Sequence, residues 1–242
     1  MAAVTESPSY TILGETVTMP VEIRSATTWV ASYAVPFDAA AALIEYSGLR
    51  PKAALGNRAL LSLAIVRYAD GDLGPYHEFG VSVLVEPPAS GSEVSPVGAL
   101  IHQLPVNQPF TLAAGREIWG FPKWMARIDL DDGGAHTTCT LRDGDTFVLS
   151  LSVARGMPVP TRDTAIDAYS FLDGVLRRTS WDLDASGSRA RPGGARIELG
   201  DHPVADELRS LGLPKRALAA MSVARVRMTF GPPTVCEVLR PS

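Results

Sequence analysis

Lys123 has the most apolar neighbours of any lysine in this sequence. The residues around it are Trp119, Phe121, Pro122, Trp124 and Met125. A lysine in such company either extends past the aromatic side chains to water or keeps its amine away from solvent. Desolvation favours the neutral amine, which is a nucleophile that can condense with a carbonyl group to form a Schiff base. The stretch therefore predicts either a solvated surface lysine or an imine-forming one.

Three segments along the chain share a resemblance to one protein family. They run from Gly74 to Glu78 (GPYHE), from Gly115 to Lys123 (GREIWGFPK) and from Tyr169 to Gly174 (YSFLDG). Their order and spacing resemble the acetoacetate decarboxylase superfamily, in which the lysine after Phe-Pro or Tyr-Pro forms the imine with the substrate. The resemblance extends over roughly residues 14 to 240. It implies that Lys123 is the imine-forming residue.

The resemblance also assigns roles to two residues of the first segment. Glu78 matches the family's pocket carboxylate, a catalytic group that handles protons or orients the substrate. Tyr76 is expected to bind substrate as an aromatic wall of the pocket. Without the resemblance, Glu78 also fits a surface glutamate at the start of a strand.

Further substrate-binding residues are expected near the lysine segment and on an early strand. Trp119 and Phe121 are expected to line the pocket. Adjacent residues of an extended segment point to opposite faces, so at most one of Arg116 and Glu117 is expected to face the pocket, and the family resemblance favours Glu117. Arg24 is the candidate for the family's N-terminal arginine, which meets the substrate carboxylate, and it also fits a surface strand residue.

The position after the lysine departs from the family pattern. The family's decarboxylases usually carry a second lysine there, whereas this sequence has Trp124. The expected function is a lyase that works through a lysine Schiff base and decarboxylates a small β-keto acid such as acetoacetate. One alternative is a Schiff-base aldolase or dehydratase acting on a 2-oxo acid. The other is a non-catalytic β-barrel that binds a small ligand, with Lys123 only as a counter-charge.

This chemistry requires no cofactor, because the protonated imine itself accepts the electrons released by the substrate. The four histidines show no metal-ligand spacing, and the two cysteines form no cluster with them, so no metal site is expected. Cys139 and Cys236 lie in alternating, strand-like runs and are interpreted as free thiols.

The composition is that of a globular protein, with 46% hydrophobic and 20% charged residues. The net charge is −4 without a basic stripe, so nucleic acid is not an expected partner. No run approaches the roughly 18 apolar residues that cross a bilayer. The N-terminal residues do not show the basic start and apolar stretch of a signal peptide. We expect a cytoplasmic protein without membrane contacts and a small keto acid as its partner. The family resemblance implies a homo-oligomer.

Alternating β-rich runs predict an α+β protein dominated by antiparallel strands. Asp143-Gly144 and Asp173-Gly174 are hairpin signals between such runs. Short helices are expected near residues 39–46, 105–114 and 203–210, the second capped by Asn107. The Gly/Arg/Ser-rich residues 185–196 predict a surface loop.

These elements are expected to form one domain over residues 1–242, with a loose N-terminus at 1–13. The strands should build a curved sheet that closes into a barrel or cone, with a few peripheral helices. The family resemblance places the lysine inside that barrel.

Overall fold

The computed structural model describes residues 7–88, 98–161 and 164–236. The strands are β1 Ser9–Ile12, β2 Glu15–Thr18, β3 Val21–Pro36, β4 Ala53–Ala54, β5 Arg58–Gly71, β6 Tyr76–Val85, β7 Gly98–Val106, β8 Lys123–Met125, β9 Arg127–Asp131, β10 His136–Asp143, β11 Thr146–Ala154, β12 Met157–Pro158, β13 Thr164–Leu172, β14 Val175–Pro192, β15 Ala195–Leu199, β16 Ala219–Phe230 and β17 Thr234–Cys236. The helices are α1 Phe37–Ile44, α2 Pro109–Trp119 and α3 Pro203–Ser210, with a short 3-10 turn at Glu45–Ser47.

Seven long strands pair into a closed ring in the order β3, β5, β6, β7, β13, β14, β16. The pairing of β14 with β16 closes it, and only the contact between β7 and β13 is parallel within the ring. A separate four-stranded sheet has the order β15-β11-β10-β9. The predicted α+β class, with a mainly antiparallel curved sheet and few helices, is confirmed.

One face of the ring packs against the four-stranded sheet and forms the first core. This core includes Tyr33, Leu63 and Phe79 from the ring, and Leu141 and Leu151 from the sheet. The predicted hairpins that join β10 to β11 and β13 to β14 are both present, with Gly144 and Gly174 at positive φ. Turn chemistry therefore fixed these local connections, while apolar alternation fixed which face is buried.

The opposite face of the ring, near one end, packs against α2 and forms the second core. Its members include Tyr68, Tyr76, Val106, Ile118 and Trp119. Side chains alternate along a strand, so Glu78 lies on the opposite face from Phe79 and on the same face as Tyr76. The fold therefore turns Glu78 toward the second core.

Two sequence expectations on element limits are wrong. Residues 9–12 of the supposedly loose N-terminus form β1, which pairs with β2 and buries Ile12 in the second core; residues 1–6 lie outside the described chain. The expected loop at 185–196 is largely the second half of β14, because Ala185 to Pro192 pair with β16. Backbone pairing between distant strands outweighs the weak β propensity of these residues.

The helix before the lysine also differs from its expected limits. It begins at Pro109 after Gln108, whose side-chain oxygen accepts a 2.5 Å hydrogen bond from the Thr111 backbone N–H. The expected cap, Asn107, instead accepts a hydrogen bond from the His77 backbone N–H. The helix continues to Trp119 and ends at Gly120, which adopts the left-handed conformation at φ 65° that glycine tolerates best.

Candidate active site

Lys123 is the first residue of the short strand β8. This strand pairs in parallel with β7, where Lys123 lies opposite Leu104. The Lys123 N–H donates to the Phe121 carbonyl oxygen at 2.7 Å, and Arg116 Nη1 donates to the Lys123 carbonyl oxygen at 3.0 Å. The backbone of the lysine is therefore held from both sides, and its side chain is only 4% exposed.

The Lys123 amine contacts three side chains from other elements. Its Nζ lies 2.9 Å from Glu78 Oε2 of β6 and donates to Thr111 Oγ1 of α2 at 3.0 Å. It also lies 5.1 Å from the centroid of the Tyr76 ring. The Glu78 side chain is 9% exposed, so both members of the ion pair are largely removed from water. Such a pair is retained only where hydrogen bonds offset the cost of desolvation.

The second oxygen of Glu78 is held by Tyr68 of β5. The Tyr68 hydroxyl donates to Glu78 Oε1 at 2.9 Å. The rings of Tyr68 and Tyr76 stack with centroids 4.2 Å apart. Burial, with a contribution from the Glu78 charge, raises the pKa of both tyrosines well above the usual range. Both phenols therefore stay protonated and neutral near pH 7.

Helix α2 faces the lysine with Thr111 and Gly115, which are four residues apart and share one face. A Cβ atom at Gly115 would lie 2.5 Å from Lys123 Cδ and 2.6 Å from Cε. Glycine in a helix interior costs about 1 kcal/mol relative to alanine. Here its missing side chain leaves the space through which the lysine stem crosses the helix.

Two of the predicted site residues are not brought to the amine. Glu117 lies in α2 and is exposed, and the premise of an extended segment at Arg116 and Glu117 is wrong because both are helical. It is Arg116 that turns back to the lysine backbone. Arg24 is on the surface, where it forms ion pairs with Asp70 at 2.8 Å and Asp72 at 2.6 Å. Asp70 near the end of β5 and Asp72 just after it account for its orientation.

Trp119 and Phe121 pack in the second core beside the lysine segment. Their ring centroids are 6.0 Å apart, and Trp119 Nε1 donates to the Gly231 carbonyl oxygen. Phe121 also meets Trp181 edge-on at 6.1 Å. These contacts anchor the turn before β8, and a direct role in substrate binding stays a prediction for both rings.

Tyr68 and Thr111 were not predicted as site residues from the sequence. A signal for Tyr68 was available, because Tyr68 and Tyr76 flank the turn between two strands and an antiparallel register sets them opposite each other. A signal for Thr111 lay in its four-residue spacing from Gly115, once the helix is extended past Ala114. Neither signal shows by itself that the side chain reaches Lys123.

Trp124 points to the other face of β8. Its Nε1 donates to Gln103 Oε1 at 3.1 Å, and Gln103 Nε2 donates to Glu207 Oε2 of α3 at 3.0 Å. His102 Nε2 lies 3.1 Å from the same Glu207 oxygen. The hydrogen bond from His102 lowers the pKa of Glu207 below its ordinary value. The residue after the lysine therefore joins a separate polar network.

The described part of the chain has neither a metal-binding cluster nor a helix that could span a membrane. No group of three or more His, Cys, Asp or Glu side chains in residues 7–88, 98–161 and 164–236 could hold a metal ion. In the same ranges, no helix is long and apolar enough to cross a membrane.

Comparison with known proteins assigns this chain to a family. The family model for acetoacetate decarboxylase (ADC) matches residues 8–238. The chain is therefore a member of the acetoacetate decarboxylase family, as the three sequence segments predicted. No curated protein matches the sequence closely enough to add a relative.

Solved structures with the same fold are distant in sequence. The acetoacetate decarboxylase of Legionella pneumophila has a TM-score of 0.70 at 18% identity, covering 90% of this chain and 87% of that one. The enduracididine biosynthesis enzyme MppR in complex with pyruvate has a TM-score of 0.68 at 16% identity, covering 89% and 90%. MppR with the condensation product of pyruvate and imidazole 4-carboxaldehyde has a TM-score of 0.67 at 16% identity, covering 89% and 88%.

Proposed function

We propose that this protein is a lyase that forms a Schiff base between Lys123 and a small keto acid. The observation that carries the proposal is the placement of Nζ within hydrogen-bonding distance of both Glu78 and Thr111, in a site with almost no solvent exposure. A carboxylate beside a nucleophile can accept its proton and return it later. The Tyr76 ring lies beside the amine, and the Tyr68 hydroxyl donates to the carboxylate, so both members of the pair are held in place.

Imine formation uses one proton transfer in each direction. The Lys123 ammonium gives a proton to Glu78, and the neutral amine adds to the keto carbon to form a carbinolamine. The protonated Glu78 then gives its proton to the carbinolamine hydroxyl, which leaves as water. The products are an iminium ion on Lys123 and the ionised Glu78, so charge and protons balance.

We propose decarboxylation of a β-keto acid such as acetoacetate as the reaction that follows. The bond between the carboxylate and the α-carbon breaks, carbon dioxide leaves, and the electron pair moves to the iminium nitrogen to give an enamine. Protonation of the α-carbon and addition of water then release the ketone and the free lysine. The iminium serves as the electron sink, so this route calls for no cofactor.

A second candidate is aldol or dehydration chemistry on a 2-oxo acid. The Glu78 carboxylate favours it, because such reactions need a group that takes up and returns substrate protons in addition to the electron sink. The relative MppR, which is described with pyruvate and with a pyruvate condensation product, supports the same class of substrate.

Trapping the imine tests the shared step. Sodium borohydride added with acetoacetate or pyruvate should inactivate the protein irreversibly and place the mass adduct on the peptide that contains Lys123. Lys123→Arg should give no adduct, because a guanidinium stays protonated. Lys215→Arg, at an exposed lysine, is the matched control and should be trapped like the wild type.

The outcomes separate the hypotheses. Carbon dioxide released from acetoacetate supports decarboxylation, whereas an adduct with pyruvate and no carbon dioxide from acetoacetate favours the second candidate. If neither acid gives an adduct, Lys123 acts only as a counter-charge in a binding site. The homo-oligomer, the cytoplasmic location and the single-domain boundary stay predictions of the sequence.

A further inference from the structure

The two oxygens of the Glu78 carboxylate have different partners. Oε2 faces the Lys123 amine at 2.9 Å, and Oε1 accepts the hydroxyl hydrogen of Tyr68 at 2.9 Å. A carboxylate that is held by two donors on opposite sides cannot rotate without breaking one of the hydrogen bonds. The side chain therefore has one orientation, in which a single defined oxygen meets the nucleophile.

The environment of Tyr68 keeps its hydroxyl a hydrogen-bond donor. It is 5% exposed, and its ring stacks on Tyr76 with an interplanar angle of 20°. Its raised pKa, caused first by burial and then by the Glu78 charge, keeps the hydroxyl protonated throughout the range in which an enzyme works. Oε1 is occupied by this hydrogen bond, so Oε2 is the oxygen that lies in line with the Lys123 ammonium and can take its proton.

We propose that Tyr68 is a positioning residue, which directs the proton taken from Lys123 to the Glu78 oxygen that faces the amine. This inference rests on the proposed function of the site. With Oε1 occupied, the proton that leaves the ammonium binds Oε2, from which it returns to the carbinolamine hydroxyl. Without Tyr68, the carboxyl group can take its proton on either oxygen and turn away from the amine.

Within the described ranges, the polar groups around Glu78 and its lysine partner come from four elements. β5 supplies Tyr68, β6 supplies Tyr76, and β8 supplies the Lys123 ammonium. α2 supplies the uncharged Thr111, which accepts a hydrogen bond from the amine. A change in the pH dependence of the site on removal of the Tyr68 hydroxyl can therefore be traced to this set.

Tyr68→Phe is the direct test, because it keeps the stacked ring and removes only the hydroxyl. The charged carboxylate loses one donor and so holds its proton more tightly. Loss of a hydrogen bond to a charged group displaces the pH at which that group takes up its proton by about one unit or more. We expect the acidic limb of the rate profile to move to higher pH by that amount, kcat to fall about 10-fold or more, and KM to change little.

Two further variants make the test specific. Tyr33→Phe removes a buried phenol hydroxyl from the first core, remote from Lys123, and should leave rate and pH profile unchanged. Incorporation of 3-fluorotyrosine at position 68 keeps the shape and makes the hydroxyl a stronger donor. It should move the acidic limb to lower pH, opposite to Tyr68→Phe, and it serves as the test if Tyr68→Phe does not fold.

An infrared titration separates this inference from the proposed function. The carboxylic acid band that disappears in Glu78→Gln should titrate at higher pH in Tyr68→Phe than in the wild type, whether or not any substrate reacts. Such a shift without any trapped imine would contradict the Schiff-base function but support the role of the hydrogen bond between Tyr68 and Glu78. Unchanged band and rate profiles in Tyr68→Phe and in the fluorotyrosine protein, with normal imine trapping, would overturn the role of Tyr68.

Discussion

Lys123 and Trp124 are adjacent in the chain but belong to two different polar networks. On one face of β8, Lys123 meets Glu78 and Thr111 in the second core. On the other face, Trp124 reaches Glu207 through Gln103. The first network is closed to water, whereas the Glu207 side chain at the end of the second is 36% exposed.

The difference shows how one strand can place a reactive side chain and a structural side chain on opposite faces. Alternation sends successive side chains to opposite faces, so one residue can be reactive while its neighbour fixes the strand. A charge in the closed network has few partners, and each of them changes its reactivity. A charge in the open network is screened by solvent and contributes little beyond packing. Substitutions on the two faces should therefore differ in kind as well as in size.

The largest effect is expected for Glu78→Gln in the closed network. Loss of the proton acceptor should slow imine formation by about 10²- to 10⁴-fold. The unpaired buried ammonium should also destabilise the fold by roughly 3–5 kcal/mol. Rates of borohydride trapping and urea unfolding measure the two effects. A fully active variant would remove Glu78 from the reaction.

Gly115→Ala should come next, because it inserts a methyl group where the lysine stem crosses α2. Alanine favours the helix by about 1 kcal/mol, but a lysine that gives way weakens its buried pair with Glu78, so thermal stability should fall. The displaced amine should form the imine about 10-fold more slowly. Wild-type trapping rates in this variant would mean that the close approach has no function.

Trp124→Lys tests whether a second cation next to the lysine matters. The new side chain should point to the Gln103 face, so the pH profile of imine formation should shift by less than about 0.3 units. Lost indole packing and the freed Gln103 oxygen should lower stability by roughly 1–3 kcal/mol. A profile displaced by a full unit would show that the two faces of β8 communicate electrostatically.

The smallest effect is expected for Glu207→Gln, in the open network. The hydrogen bond from His102 holds the pKa of Glu207 below its ordinary value. The charged Glu207 therefore stabilises the fold fully at pH values above the ordinary pKa, and this stabilisation is lost as the pH falls through the lowered pKa. Solvent screening should keep it under about 1 kcal/mol. Unfolding free energies of wild type and variant should therefore differ slightly at pH 7, begin to approach each other below about pH 4.5, and meet only below the lowered pKa of Glu207. A constant difference would assign the effect to packing.

Local sequence signals predicted the hairpins well and the long-range elements less well. Asp173-Gly174 marks a turn through its own backbone preferences, and the structure has that turn between β13 and β14. The second half of β14 carries no such signal, since Ala185 to Pro192 become a strand only through pairing with β16. Helix α2 was predicted at residues 105–114 but runs from Pro109 to Trp119, so its end was placed before Gly115, a residue that usually disfavours a helix interior.

The sequence by itself determined the candidate nucleophile and its family. Three motifs in order were enough for this, because residue types and spacing along the chain survive without coordinates. They also predicted Glu78 and Tyr76, which the structure brings to Lys123. The apolar neighbours in sequence suggested a desolvated amine, and Lys123 is buried.

Only the tertiary structure decided what surrounds the amine. Thr111 comes from a helix, Glu78 and Tyr68 come from two paired strands, and Trp124 turns away from the amine although it is next in sequence. Arg24 and Glu117 are exposed, and Arg24 pairs with Asp70 and Asp72, so neither belongs to the group around Lys123. The physical reason is that side-chain direction depends on strand register and helix extent, which are set by packing between distant segments rather than by the residues beside the lysine.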